Sequence, residues 1–146
     1  MKKLLMALAT IGLLYQASAA DGEWLTDFTK AKEKAKAENK MILMDFTGSD
    51  WCPPCKALYK NVLSTPEFVE YAKKNLVLVE VDFPISKKQS DELKKANAEL
   101  EKKFDVDGYP TIIVLDSNGK QLSKKSNFVG EKPKEFIAKI DSLNQN

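Results

Sequence analysis

A chain of 146 residues holds one folding unit and a short extension, and is too short for two ordinary domains with separate cores. Its 23 basic residues are all lysine and nearly balance 21 acidic ones, so it has neither the arginine forks nor the lopsided basic face of a nucleic-acid binder. It has no histidine, which removes Ser-His-Asp and Cys-His catalysis and most zinc or haem ligation, and leaves two cysteines and the carboxylates to carry any chemistry.

In chain order, Lys2 and Lys3 precede a mostly apolar run at 4–14 and then the small residues Ala17-Ser18-Ala19, the layout of a secretory signal peptide. The expected leader is 1–19, with cleavage near Ala19 or Ala20, and the expected folded domain is 21–146. The apolar run is well short of the roughly 20 residues that span a bilayer, so no permanent membrane anchor is expected. No cysteine follows it, as a lipoprotein signal would require. Cleavage would leave a formally neutral domain of about 127 residues, a length at which folding buries roughly two thirds of the chain's surface. Such a core needs no disulfide staple. The leader also directs both cysteines to the periplasm or the outside medium, where disulfides persist.

At 24–39, Trp24, Phe28, Ala31 and Ala35 recur at helical spacing among lysines and glutamates, predicting an amphipathic helix. MILMDFT at 41–47 predicts a buried central strand with one acid, Asp45, inside it. Residues 52–63 carry Cys55, Leu58, Tyr59 and Val62 at helical spacing behind Pro53 and Pro54, tolerated there because first-turn amides lack helical partners. A break near Ser64 and a helix capped by Thr65, reaching about residue 74, follow. LVLVEVD at 76–82 predicts a second strand. The lysine-rich stretch 87–104 has Leu93, Ala96, Leu100 and Phe104 at helical spacing, with Ser86 and Gln89 as its capping box. A strand at 111–115 turns at Asp116-Ser117-Asn118-Gly119 into another at 120–126, and Pro133 opens a last helix that buries Phe136, Ile137, Ile140 and Leu143.

Cys52-Pro53-Pro54-Cys55 falls where a strand runs into a helix. Free N–H groups and partial positive charge at the amino end of a helix favour a thiolate on the first cysteine. Cys52 is therefore the expected nucleophile, and Cys55, one turn further on, resolves its mixed disulfide to leave a Cys52–Cys55 disulfide. Three other uses of the pair stand beside this one. A structural staple across so small a ring restrains the unfolded chain by only roughly 2 kcal/mol. A metal site lacks two further soft ligands unless a dimer shares it. Two inert buried thiols would be poorly suited to an oxidising compartment.

Asp45-Phe46, Trp51-Cys52-Pro53-Pro54-Cys55-Lys56, Gly108-Tyr109-Pro110-Thr111, Asn118-Gly119 and Gly130 before a final helix together resemble the thioredoxin family over essentially all of the mature chain. The resemblance is greatest to secreted bacterial thioredoxin-like proteins that begin with a helix. It implies an α/β thioredoxin fold: a central mixed four-stranded sheet flanked by helices, with an N-terminal helix in place of the first strand. It implies that Pro110 is a cis-proline against the disulfide and that the backbone of Tyr109 pairs with an extended substrate. Trp51 becomes either a partly exposed platform beside the nucleophile or a plain packing residue. Asp45 becomes either the buried acid that takes the Cys55 proton or an acid tied up in local hydrogen bonds. Four departures stand out. The gap from Asp45 to Cys52 is one residue longer than usual, suggesting a small bulge at Gly48-Ser49. The family's lysine facing the buried acid is absent near Leu78, where Glu80 is either a second carboxylate at the site or a solvated, lysine-paired one. Lys60 stands where thioredoxins kink their second helix with proline, and the helix at 87–104 is longer than the family's connection there.

These readings converge on a secreted thiol–disulfide oxidoreductase that needs no metal or organic cofactor, acts on protein disulfides or thiols as a monomer, and draws electrons from a membrane donor. Pro53 and Pro54 provide neither charge nor N–H donors to a thiolate, and Pro54 matches the reducing thioredoxin pattern, so the expected direction is reduction. A disulfide oxidase or isomerase is the alternative within the class. A chaperone or binding module with incidental thiols is the alternative outside it.

Overall fold

The computed structural model describes residues 22–144. The expected leader, its cleavage site and Asp21 lie outside the described residues. The elements are β1 (Trp24–Leu25), α1 (Phe28–Glu38), β2 (Met41–Thr47), α2 (Pro53–Leu58) continuing into a π-helical turn (Tyr59–Leu63), α3 (Pro66–Asn75), β3 (Leu76–Asp82), α4 (Asp91–Lys103), β4 (Thr111–Leu115), β5 (Gln121–Ser126) and α5 (Pro133–Leu143). They form one five-stranded sheet in the order β1-β3-β2-β4-β5. β3 runs parallel to β1 and β2, and β4 runs antiparallel to β2 and β5.

Alternation along the central strands divides the core into two layers. Met41 and Leu43 of β2, Leu76 and Leu78 of β3, and Ile112 and Val114 of β4 face α2, α3 and α5, where Leu58, Val62, Phe68, Phe136 and Ile140 complete the layer. Ile42, Met44 and Phe46, with Val77, Val79 and Val81, face the opposite way onto Ala31 and Ala35 of α1 and Leu100 and Phe104 of α4. Every residue of β2 is buried. Its odd-numbered residues all share the α2 side, so Asp45 is carried to the face beneath the cysteines by register alone.

The α/β sandwich of the expected fold is present, and four local features differ. The sheet has five strands, not four. Asp27 caps α1 by accepting from the Thr29 and Lys30 amides at 2.9 and 3.1 Å, and this stops the expected 24–39 helix short. Trp24 and Leu25 are thereby released to pair with Leu78 and Val79 as a short first strand. The expected 52–63 helix widens at Tyr59, where the Ser64 amide reaches back five residues to the Tyr59 carbonyl at 2.8 Å. This π turn buries both Val62 and Leu63, and it occupies the place of the family's proline kink. The expected capping box at Ser86 and Gln89 does not form. The 86 and 87 amides bond to Asp50 instead, Gln89 donates to the Asp82 carbonyl at 3.1 Å, and α4 starts at a Ser90 cap.

Candidate active site

The Gly48 carbonyl accepts from the Trp51 and Cys52 amides at 3.2 and 2.9 Å. This turn absorbs the extra residue between Asp45 and Cys52 after the strand has ended. The expected bulge is therefore absent from the ladder, where Asp45 pairs with Glu80 and Thr47 with Asp82 in unbroken register. Gly48 is required by contact. A Cβ there would lie 2.5 Å from the Trp51 ring, which rests on the glycine. Trp51 is 43% exposed and donates its indole N–H to the Phe83 carbonyl at 2.8 Å.

Cys52 is the extended N-cap of α2. Pro53 and Pro54 have no N–H, so the first amide of the helix able to reach the Cys52 sulfur belongs to Cys55, and it points there at 3.3 Å. The two cysteines are joined by a disulfide with an S–S distance of 2.09 Å, and both are buried. Across from them the Tyr109–Pro110 peptide is cis, and the Tyr109 carbonyl oxygen lies 3.8 Å from the Cys52 sulfur. In the disulfide that sulfur carries no proton, so the approach is a packing contact. The Tyr109 ring stacks on Phe83 with centroids 5.0 Å apart, and meets Trp51 edge-to-face at 6.0 Å. Its hydroxyl donates to Glu101 of α4.

Two clefts flank the disulfide. One, of about 390 Å³, opens on the Cys55 side and is lined by Asp45, Glu80, Lys87, Trp24 and Tyr59. Burial pushes the Asp45 carboxyl up to about 8, reinforced by the nearby charges of Glu80 and Asp82. One of its oxygens, Oδ1, has no hydrogen-bond partner. Burial also raises Glu80, with Asp82 adding to the shift and Lys87 opposing it. Glu80 is therefore half-buried, paired with Asp45 across the strands, and faces a lysine that comes from the loop before α4. The second cleft runs past Pro54, Tyr109, Pro110 and Val129 on the Cys52 side.

Asp50 and Glu101 are the positions that sequence reasoning passed over. The Asp50 carboxylate accepts from the amides of Ile85, Ser86 and Lys87 at 3.0, 2.6 and 2.9 Å. It thereby clamps the 83–87 loop to the active-site turn. These bonds, led by that from Ile85, hold its carboxyl below the ordinary carboxylate range. Because its folded-state pKa is depressed, the clamp is complete above the unfolded carboxylate pKa and is lost only as pH falls through the lower folded value. Asp50→Ala should accelerate hydrogen exchange at the 85, 86 and 87 amides by about tenfold at neutral pH, read by NMR. Unchanged protection would refute the clamp. An aspartate directly before Trp51-Cys52 was the available signal, but its acceptors' donors lie 35 or more residues away in sequence.

The chain matches the family model described as a thioredoxin-like domain over residues 28–144. It is 37% identical over 107 residues to the disulfide bond reductase DsbH of Chlamydia pneumoniae, covering 73% of this chain and 64% of that one. It is 31% identical over 108 residues to the thioredoxin-related protein DsbJ of the same organism, covering 74% of this chain and 31% of that one. The match thus spans less than two thirds of the length of either relative. A solved structure titled DsbH oxidoreductase superposes with a TM-score of 0.79 at 31% identity, covering 99% of this chain and 95% of that one. A Cys-x-x-Cys disulfide at the head of a helix, the fold around it and these relatives agree: the chain belongs to the thioredoxin-like family.

Proposed function

We propose that this protein is exported to the bacterial envelope and there reduces disulfides in other proteins through a Cys52–Cys55 dithiol cycle. The observation that carries the reading is the placement of that disulfide. Cys52 caps α2 and receives the Cys55 N–H, and the Tyr109–Pro110 backbone lies against it. The Cys52 thiolate attacks one sulfur of a client disulfide, forming a mixed disulfide and expelling the other client sulfur as a thiolate. Asp45 takes the Cys55 proton, and the resulting thiolate attacks the Cys52 sulfur. The second client thiolate leaves, and the electron pair lost by the dithiol now resides in the reduced client. The proton leaves along the acid-lined cleft past Glu80. The extended client pairs with the backbone of Tyr109 beside Pro110, with Trp51 as a platform at its edge. A membrane thiol donor then returns two electrons to the Cys52–Cys55 disulfide.

Reduction is favoured because stabilisation of the Cys52 thiolate is modest. Two prolines remove N–H donors from the first turn of α2, and the acids Asp45 and Glu80 lie on the Cys55 side. The name of the DsbH relative, a disulfide bond reductase, points the same way. The test is the equilibrium reduction potential of the pair in a glutathione buffer. A value near roughly −270 mV is the expected result, whereas a value near roughly −120 mV would make the protein an oxidant and overturn the direction.

A further inference from the structure

The long helix α4 makes one contact with the redox loops that packing does not require. Leu100 and Phe104 seat the helix on the sheet, and between them Glu101 turns toward the loop leading to Pro110. Its backbone carbonyl accepts the Val106 N–H at 3.0 Å, and its carboxylate accepts the Tyr109 hydroxyl. No lysine pairs with Glu101 among the described residues, although the chain is rich in lysine. The phenol is its partner.

The other restraints on Tyr109 act on its ring faces and edges. Phe83 stacks at an interplanar angle of 22°, and Trp51 stands at 79° to the ring. Phe83 is itself pinned, its N–H donating to the Thr47 carbonyl at 2.9 Å and its carbonyl accepting from Trp51. Stacking resists tilting but resists sliding within the ring plane only weakly. The hydrogen bond to Glu101 supplies that missing restraint along the long axis of the side chain, and so fixes the peptide whose carbonyl lies 3.8 Å from the Cys52 sulfur.

We infer that Glu101 is a positioning residue: acting through the Tyr109 hydroxyl, it holds the 109–110 backbone in the pose that pairs with a polypeptide client. This rests on the exchange reading above and adds to it a role for α4. The consequence is selective. Client docking depends on where that backbone sits, whereas attack of the Cys55 thiolate on the Cys52 mixed disulfide, with the client thiolate leaving, does not. Loss of Glu101 therefore acts on KM for a protein substrate and leaves kcat and the reduction potential nearly unchanged.

The experiment uses the full chain with insulin as the disulfide probe and dithiothreitol as the reductant. Glu101→Ala is expected to raise KM for insulin roughly five- to tenfold with less than a twofold change in kcat, since a bond to a charged acceptor is lost. Glu101→Gln, whose amide oxygen still accepts, should return KM to within about twofold of the parent. Tyr109→Phe should raise KM as much as Glu101→Ala, and the double variant should be no worse than either, because both remove one interaction. An unchanged KM in Glu101→Ala, a Gln variant as impaired as Ala, or additive effects would each overturn the assignment. An unmodified chain that fails to reduce insulin at all would instead overturn the exchange reading beneath it.

Discussion

Cys52→Ser is expected to abolish reduction of protein disulfides, lowering turnover at least a thousandfold, while the fold and its melting behaviour persist in the reduced state. Serine has no accessible anion near neutral pH, and Cys55 lies inside α2, without the N-cap position that Cys52 holds. Cys55→Ser should behave differently. It keeps the nucleophile and loses the resolving group, so the Cys52 mixed disulfide with insulin accumulates, visible by mass spectrometry as a covalent adduct that dithiothreitol removes. The pair also separates catalysis from mere holding of clients. A binding module would retain both client affinity and whatever effect it has on clients in Cys52→Ser, and would give no adduct in Cys55→Ser. Either of those results would sink the assignment of nucleophile and resolver.

Asp45→Asn is expected to make the protein more stable and less active. The folded-state pKa of Asp45 stands near 8, far above the ordinary carboxylate value, because the group is buried and sees Glu80 and Asp82. The folded protein thus holds a proton that the unfolded chain releases. The stability associated with that proton is complete below the unfolded pKa and is lost as pH rises toward 8. At pH 7 the loss is on the order of 3–4 kcal/mol, and an uncharged isostere removes it. Urea unfolding of the oxidised forms should show the gap between variant and parent growing from pH 5 to pH 8 and vanishing near pH 4. A gap of equal size at pH 5 and pH 8 would refute the raised Asp45 pKa. Resolution of the mixed disulfide should slow by about a hundredfold, the lower end of what a positioned base provides. The parent's rate should rise with pH through about 8 as Asp45 ionises, and the variant should lack that inflection.

Asp45 thus lies in a costly position that the core alone would not select. Leu43 and Met41, on the same face of β2, show what the layer otherwise accepts. An unpartnered carboxylate oxygen within a cleft shared with Cys55 is the structural counterpart of that cost.

Much of this architecture was legible in the chain itself. The strands at 41–47, 76–82 and 111–115 are apolar runs whose burial follows from composition, and the helices after Thr65 and Pro133 announce their starts by cap and proline chemistry. The redox pair was legible for the same local reason, since two cysteines separated by two prolines need only the next turn of helix to meet. The placement of Asp45 beneath the cysteines depended on whether the extra residue before Cys52 fell inside the ladder or after it, a choice made by the β2–β3 pairing and the Gly48 turn.

What the chain could not disclose are contacts whose two halves are distant in sequence. Asp50 meets the 85–87 amides, Trp51 meets Phe83, and Glu80 meets Asp45 across the sheet. Glu101 and Tyr109 are only eight residues apart, but they meet across a helix end that no spacing rule announces. Local spacing determines which elements form and which face each residue takes, because helix and strand periodicities act over a few residues. Only tertiary packing decides which loops come to lie beside Cys52, because the donors and acceptors that hold them are chosen by proximity in the folded chain and carry no periodic signature.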